Sequence, residues 1–418
     1  MEDLPVEVIG NILSHLRAAR DVVVASATCK KWREAFQYHL QSLTFHDDDW
    51  PVYGDDPTSN WPIYGHPTPD KLKIIITQTI LQTKGLQCLS VFLSDITFTT
   101  DDVRPWLVHS RDTLRELYLD VWILPSVKIL EKCNGQKLEV LELAHIYMCS
   151  ESCKYQKFPL LKTLRLEDVD VKPLDLRTLL TLCPKIENLT LLRPRIGPVG
   201  TMEVNTNSLK TIHLAGITAG IFILEADSLE YLDLKMCKFE HFEFVGKGAL
   251  KVLNLDVARI KYFEIRDNME NLEIVDVNDS AIEMPKLYLM ISRSSNLRRL
   301  RLWHVKFDNV DEVIDLERVS FFFPMLTHLS LYYEEEEKLF SLQVSSHLQN
   351  VVVLELGCVI YYHLTDRIAG ILRRCPNLKK IVIHGKILQD LEILAQFSSS
   401  IIQLARKYLQ VEFQFKYE

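Results

Sequence analysis

Few side chains in this chain have the types and spacing that could do chemistry. Cys149-x-x-x-Cys153 has the thiol spacing of half a metal site, yet no second Cys/His pair follows at zinc-finger spacing. The sequence holds no Gly-rich phosphate loop, Gly-x-Ser-x-Gly elbow or His-Glu-x-x-His motif. No metal, no cofactor and no catalytic residue is therefore expected. What remains is recognition: Arg299, Arg301 and Trp303, followed by His328 and Tyr332, combine residue types that concentrate at the energetic centres of protein interfaces. They are the candidate substrate-binding residues, the alternative being a solvated face with local ion pairs.

The elements that would position them are short strands. A pattern Leu-x-x-Leu-x-Leu begins at Leu86, Leu114, Leu138, Leu161, Ile186, Leu209, Leu229, Leu250, Leu272, Leu297, Leu326, Val351 and Leu378, with spacings of 20 to 29 residues. Leu40-x-x-Leu43-x-Phe45 is a further copy. The second and third apolar positions lie two apart and so face one side of a strand. Stacked copies give a parallel sheet, and the intervening residues give its lining. That lining runs through Glu116, Tyr118, Asp120, Glu142, Arg165, Glu167, His213, Asp233, Asn254, Asp256, Asp276 and Asn278, mostly acidic. It changes sign at Arg299 and Arg301, and strands about 4.8 Å apart would gather these residues into one patch.

Segments between copies turn helical where Cys375-Pro376-Asn377-Leu378 and Cys183-Pro184-Lys185-Ile186 punctuate them. Between Leu209 and Leu272 the period contracts to 20 to 22, and Ile221-Phe222-Ile223-Leu224, Phe242-Glu243-Phe244 and Tyr262-Phe263-Glu264-Ile265 favour strands. The expected fold is thus α/β: a leucine-rich-repeat solenoid with a parallel sheet on the concave face and helices and, centrally, short strands on the convex face. Residues 398–407 read as a helix and 411–415 as a last strand, together a C-terminal cap.

A segment from His46 to Pro69 lacks apolar periodicity and repeats Trp50-Pro51-Val52-Tyr53-Gly54 as Trp61-Pro62-Ile63-Tyr64-Gly65. It either clamps a partner or lays its aromatics over the first repeat, and aromatic burial is the commoner fate. Thr68-Pro69-Asp70 then opens a helix by capping logic.

The 418 residues carry a net charge of -8 with no basic block, which disfavours nucleic acid and anionic membranes as partners. No stretch approaches the roughly 18 apolar residues of a membrane span, and Met1-Glu2-Asp3 does not open a secretory signal. Nine cysteines, scattered and odd in number, suit a reduced compartment, cytoplasmic or nuclear.

At the N-terminus, Leu4-Pro5-Val6-Glu7-Val8-Ile9, Ile12-Leu13, Leu16 and Cys29-Lys30-Lys31-Trp32-Arg33 spell a compact helical module too small to be stable alone. It caps the repeats or presents an apolar face to another protein. This string closely resembles an F-box, and the copies C-terminal to it resemble the leucine-rich repeats of plant-type F-box proteins. The resemblance implies a SKP-type adaptor as partner, bridging to a cullin, with Leu4, Pro5, Ile9, Ile12 and Leu16 at the interface and Trp32 closing the module. Two departures are Gly10, where the family often has a larger residue, and Thr28, where valine is common.

The expected division is a helical F-box module over 1–45, the aromatic and acidic insertion over 46–70, repeats over 71–397 and the cap over 398–418. The expected function is a non-catalytic substrate receptor of an SCF-type cullin-RING ubiquitin ligase, holding an unknown target protein through its repeats. A small-molecule-dependent receptor like the plant hormone-sensing F-box proteins, and an interaction scaffold outside any ligase, stand as alternatives.

Overall fold

The computed structural model describes residues 4–16, 18–49, 68–124, 136–146, 157–196, 200–266, 269–281, 287, 291–304, 314–315, 319, 321–333, 340–341, 348–359, 364–386 and 391–417. The duplicated Trp-Pro-x-Tyr-Gly motif and the Cys149/Cys153 pair lie outside them. The chain forms two compact units, Met1–Leu209 and Lys210–Glu418.

The first unit opens with α1 (Val6–Ser14), α2 (Ala19–Ser26) and α3 (Lys30–His39). Pro5 lies just before α1, where its missing N–H costs nothing, and Glu7 faces the positive end of the helix dipole. Ile9 and Leu13, one turn apart, are buried with Val22, Ala35 and Phe36. Leu40 carries the chain directly into β1 (Ser42–His46).

After α4 (Pro69–Gln82) come β2 (Cys88–Phe98), α5 (Thr100–Ser110), β3 (Glu116–Ile123), β4 (Val140–Ala144), β5 (Thr163–Glu167), α6 (Pro173–Thr181), β6 (Asn188–Leu192) and β7 (Thr201–Asn205). Strands β1 to β6 pair in sequence order, all parallel. Leucines two apart are buried as expected: in β5, Leu164 and Leu166 are buried while Thr163, Arg165 and Glu167 stay partly open. Thr99 caps α5 reciprocally, its hydroxyl accepting from Asp102 N and Asp102 Oδ2 accepting from Thr99 N at 2.7 Å. Thr68 precedes α4 without a side-chain cap, contrary to the sequence expectation, so that helix starts on Pro69 alone. Buried Trp106 donates from Nε1 to Thr77 Oγ1 at 2.9 Å and ties α5 to α4.

The second unit builds a parallel sheet from β8 (Thr211–Ala215), β10 (Tyr231–Lys235), β12 (Val252–Asp256), β14 (Ile274–Asn278), β15 (Arg299–Trp303), β17 (His328–Tyr333), β19 (Val353–Val359), β20 (Lys380–Lys386) and β21 (Glu412–Tyr417). The central connections are strands: β9 (Thr218–Glu225), β11 (Lys238–Val245) and β13 (Arg259–Arg266) form a second parallel sheet. Phe222, Phe242 and Phe263 stack through it at 5.6 and 5.5 Å, filling the layer that a helix would otherwise fill. A short pair, β16 (Ile314–Asp315) with β18 (Phe340–Ser341), comes next. Helices α7 (Leu364–Leu372) and α8 (Leu391–Lys407) return near the C-terminus. α8 starts seven residues before the expected 398, carrying buried Phe397 and Ile401 one turn apart.

Within each unit, the residue after several of the strands turns left-handed: His145, Asp168 and Arg193 in the first; Gly216, Met236, Val257, Asp279 and His304 in the second. This conformation aims the N–H at the next repeat, as in Asp168 N to Leu192 O at 2.9 Å and Val257 N to Asn278 O at 2.8 Å. The turn thereby extends the ladder beyond the strand.

Candidate interaction surfaces

On the N-terminal module, the apolar stripe of α1 splits into two faces. Ile9 and Leu13 point inward, whereas Pro5 is exposed and Val8 and Ile12 stand 42% and 41% open. Ile9 has no exposed surface, so the structure corrects its expected place at a partner interface: it supports α1 from below. Leu4, Leu16 and Trp32 are half-buried, and Val24 on α2 is open. Pro5, Val8, Ile12 and Leu16 fall at intervals of three and four, one side of a helix. Val8, which is not among the expected interface residues, joins this set.

Hydrogen bonds tie the module to the start of the repeats. Ser14 Oγ donates to Gly10 O at 2.9 Å and accepts from Gln41 N at 2.9 Å, while Lys84 N donates to Gln37 O at 2.8 Å. Lys84 Nζ also sits 4.7 Å above the Tyr38 ring.

On the open face of the first unit's sheet, the side away from the helices, the expected acidic lining is largely paired. Arg165 reaches Glu167 at 2.7 Å and Arg193 reaches both Glu167 and Asp168 at 2.8 Å. Hydrogen bonds from Arg193 hold the Asp168 carboxyl below its ordinary value. Burial, reinforced by Glu116, pushes the Tyr118 phenol up. Trp122 stacks on His145 at 4.5 Å, and His145 Nε2 approaches Asp120 at 3.4 Å.

On the open face of the second unit, the five expected substrate residues separate into two groups. Arg301 pairs with Asp276 at 3.3 Å and lies 4.3 Å over the Trp303 ring. Trp303 Nε1 donates to Ser330 Oγ at 2.6 Å, and that hydroxyl donates to Glu355 Oε2 at 3.2 Å. Tyr332 and His384 pack on the same indole at 6.1 and 4.9 Å. Trp303 is only 7% exposed, so it is a floor for its neighbours and not the open anchor that its outward parity suggested. Arg299 and His328, in register with one another on β15 and β17, are exposed.

Buried Cys183, Cys237 and Cys375 have thiols pushed up to about 12, 11 and 12 by burial, which keeps them protonated and unreactive. Among the described residues no three His, Cys, Asp or Glu side chains gather as a metal site, and no helix is long and apolar enough to cross a membrane.

The sequence is similar to known families and proteins. The F-box-like family model matches residues 1–40, and the model of the LRR repeats of FBD-associated F-box protein At5g56370 matches residues 136–265. F-box/LRR-repeat protein At1g67190 of Arabidopsis thaliana is 47% identical over the whole of both chains. From the same plant, F-box protein At1g10780 is 28% identical over 66% of this chain and 64% of its own. Probable FBD-associated F-box protein At1g32375 is 26% identical over 71% of this chain and 67% of its own. An F-box-like helical module followed by a parallel ladder of leucine-rich repeats, matched end to end, places the chain in the F-box/LRR-repeat protein family.

Proposed function

We propose that this chain is the substrate-recognition subunit of an SCF-type cullin-RING ubiquitin ligase, holding a SKP-type adaptor through its N-terminal module and a target protein through its repeats. The observation that carries this reading is the stripe of Pro5, Val8 and Ile12, open on an F-box-like module that Ser14 and Gln37 tie by hydrogen bonds to the start of the repeats. An apolar helix face left open on so small a module is suited to cover by a partner. The chain acts by proximity: it contributes no nucleophile, but raises the effective concentration of its target beside a charged ubiquitin-conjugating enzyme.

Co-expression with a SKP-type adaptor tests the reading. Wild type is expected to co-purify with it, and the double substitution Val8→Glu/Ile12→Glu to lose it while melting like wild type. Absence of wild-type binding, or retention by the double variant, would overturn the assignment.

A further inference from the structure

From the repeat at Leu114 to the repeat at Leu297, the residue after the first apolar position alternates in sign. It is Arg115, Glu139, Lys162 and Glu187 in the first unit, and Lys210, Glu230, Lys251, Glu273 and Arg298 in the second. Neighbouring repeats thus present opposite charges at one level: Glu139 sits 3.0 Å from both Arg115 and Lys162, and Lys251 sits 2.7 Å from Glu230. After Arg298 the rule stops, because the next repeat has Thr327 where an acid would continue it.

The chain then adds a second cation beside the first. Arg298 and Arg299 are both exposed, and among the described residues neither guanidinium has an ion-pair or hydrogen-bond partner. Exposed His328 lies in register with Arg299. Two adjacent unpaired arginines are unusual in an acidic chain whose other open-face cation on this strand, Arg301, is matched to Asp276. Where a local rule is kept along a fold and then dropped, a functional site is an expected reason.

We infer that this row of the open face is a docking site for an acidic, apolar-containing segment of a target protein, an inference that rests on the receptor reading above. The apolar half is supplied by Val252 and Ile274, which pair in register with one another and, through Ile274, with Arg299. On the far side Val353 is in register with His328. All three are half-buried, offering apolar surface beside the cations. The backbone donors here are already used: Arg298 N and Arg299 N donate to Glu273 O at 2.9 and 3.0 Å, and His328 N donates to Arg298 O at 2.9 Å. No amide nest remains to wrap a phosphate. Recognition falls to separate guanidinium forks, which fit carboxylates spread along a peptide.

The test uses the full chain on an array of short random peptides, with matched peptides carrying phosphoserine in place of glutamate. Wild type is expected to select sequences mixing Asp or Glu with Leu, Ile or Val, with binding that weakens as salt rises. Arg298→Ala/Arg299→Ala is expected to bind the selected peptides roughly 10- to 100-fold more weakly, and Arg298→Glu/Arg299→Glu to lose the acidic preference. Melting curves establish that both variants fold. A selection without acidic bias, a bias unchanged in the double variants, or a preference for the phosphoserine peptides would overturn the inference. Adaptor co-purification is read from the same preparations: peptide selection without adaptor binding would refute the ligase reading alone, and the converse would refute the docking site alone.

Discussion

Gly10 and His39 are packed so closely that a Cβ built at Gly10 would fall 2.4 Å from Cβ of His39 and 2.6 Å from its carbonyl oxygen. Glycine weakens a helix by up to about 1 kcal/mol relative to alanine, yet here it lets α1 reach the end of α3. The same turn of α1 supplies the Gly10 carbonyl that accepts from Ser14, whose hydroxyl meets Gln41 just before β1. Gly10→Ala is therefore expected to lower stability by about 1–3 kcal/mol through overpacking, in spite of alanine's better propensity. Urea midpoints of the two proteins check it, and an unchanged or raised midpoint would show that α1 and α3 are not held at this distance.

The charge ladder gives stability a sign in pH. Hydrogen bonds from Lys162, with Arg115 adding to them, hold the Glu139 carboxyl below its ordinary 4.5, and Arg193 holds Asp168 below 3.8. The unfolded chain then binds more protons than the native one in acid. The stabilisation is present above the ordinary values and is lost as pH falls through the lowered ones. Both carboxylates are partly solvated, so each contributes less than about 1 kcal/mol. Glu139→Gln and Asp168→Asn are expected to flatten the fall in urea midpoint below about pH 4, with little change in slope at neutral pH. A double variant as acid-sensitive as wild type would remove the ladder as a cause.

How far the sequence discloses this molecule depends on what sets each feature. Strands were legible because buried leucines two apart leave no other parity, and the second sheet because Phe222, Phe242 and Phe263 recur at the contracted period. The surfaces were less legible, since parity tells which side a residue faces but not what lies across it. Trp303 faces outward and is still covered, because Ser330 one strand over is small enough to accept its N–H and Tyr332 and His384 close around the ring. Ile9 and Ile12 share a helical stripe, and only the path of α3 decides which is buried. Arg298 escaped notice as a lone exposed residue; its meaning lies in the alternation of Glu230, Lys251 and Glu273 before it.

That covered tryptophan depends on a glycine. A Cβ at Gly357 would lie 2.4 Å from Cδ2 of Tyr332, so the phenol ring lies across a position that has room only for hydrogen. Gly357→Ala is expected to push Tyr332 aside, admit water to Trp303 and cost about 1–3 kcal/mol. Tryptophan emission reads the change as a red shift, absent when the same substitution is made in a Trp303→Phe background. An unshifted spectrum with wild-type stability would mean that the ring has another place to lie.

Val257 is the residue most at odds with the left-handed turn it occupies. Its φ of 54° puts a β-branched side chain where Gly216, at φ 67°, meets no penalty in the equivalent turn. The left-handed conformation costs an L-residue roughly 1–2 kcal/mol, and glycine returns part of that gain through its greater freedom in the unfolded chain. Val257→Gly is expected to raise stability by about 0.5–1 kcal/mol, and Gly216→Val to lower it by about 1–2 kcal/mol. The turn cannot relax to avoid the strain, because Val257 N donates to Asn278 O and Gly216 N to Lys235 O, each joining one repeat to the next. Opposite shifts in urea midpoint for the two variants would locate the strain in the backbone. A lower midpoint for Val257→Gly would instead show that packing of the valine side chain outweighs it.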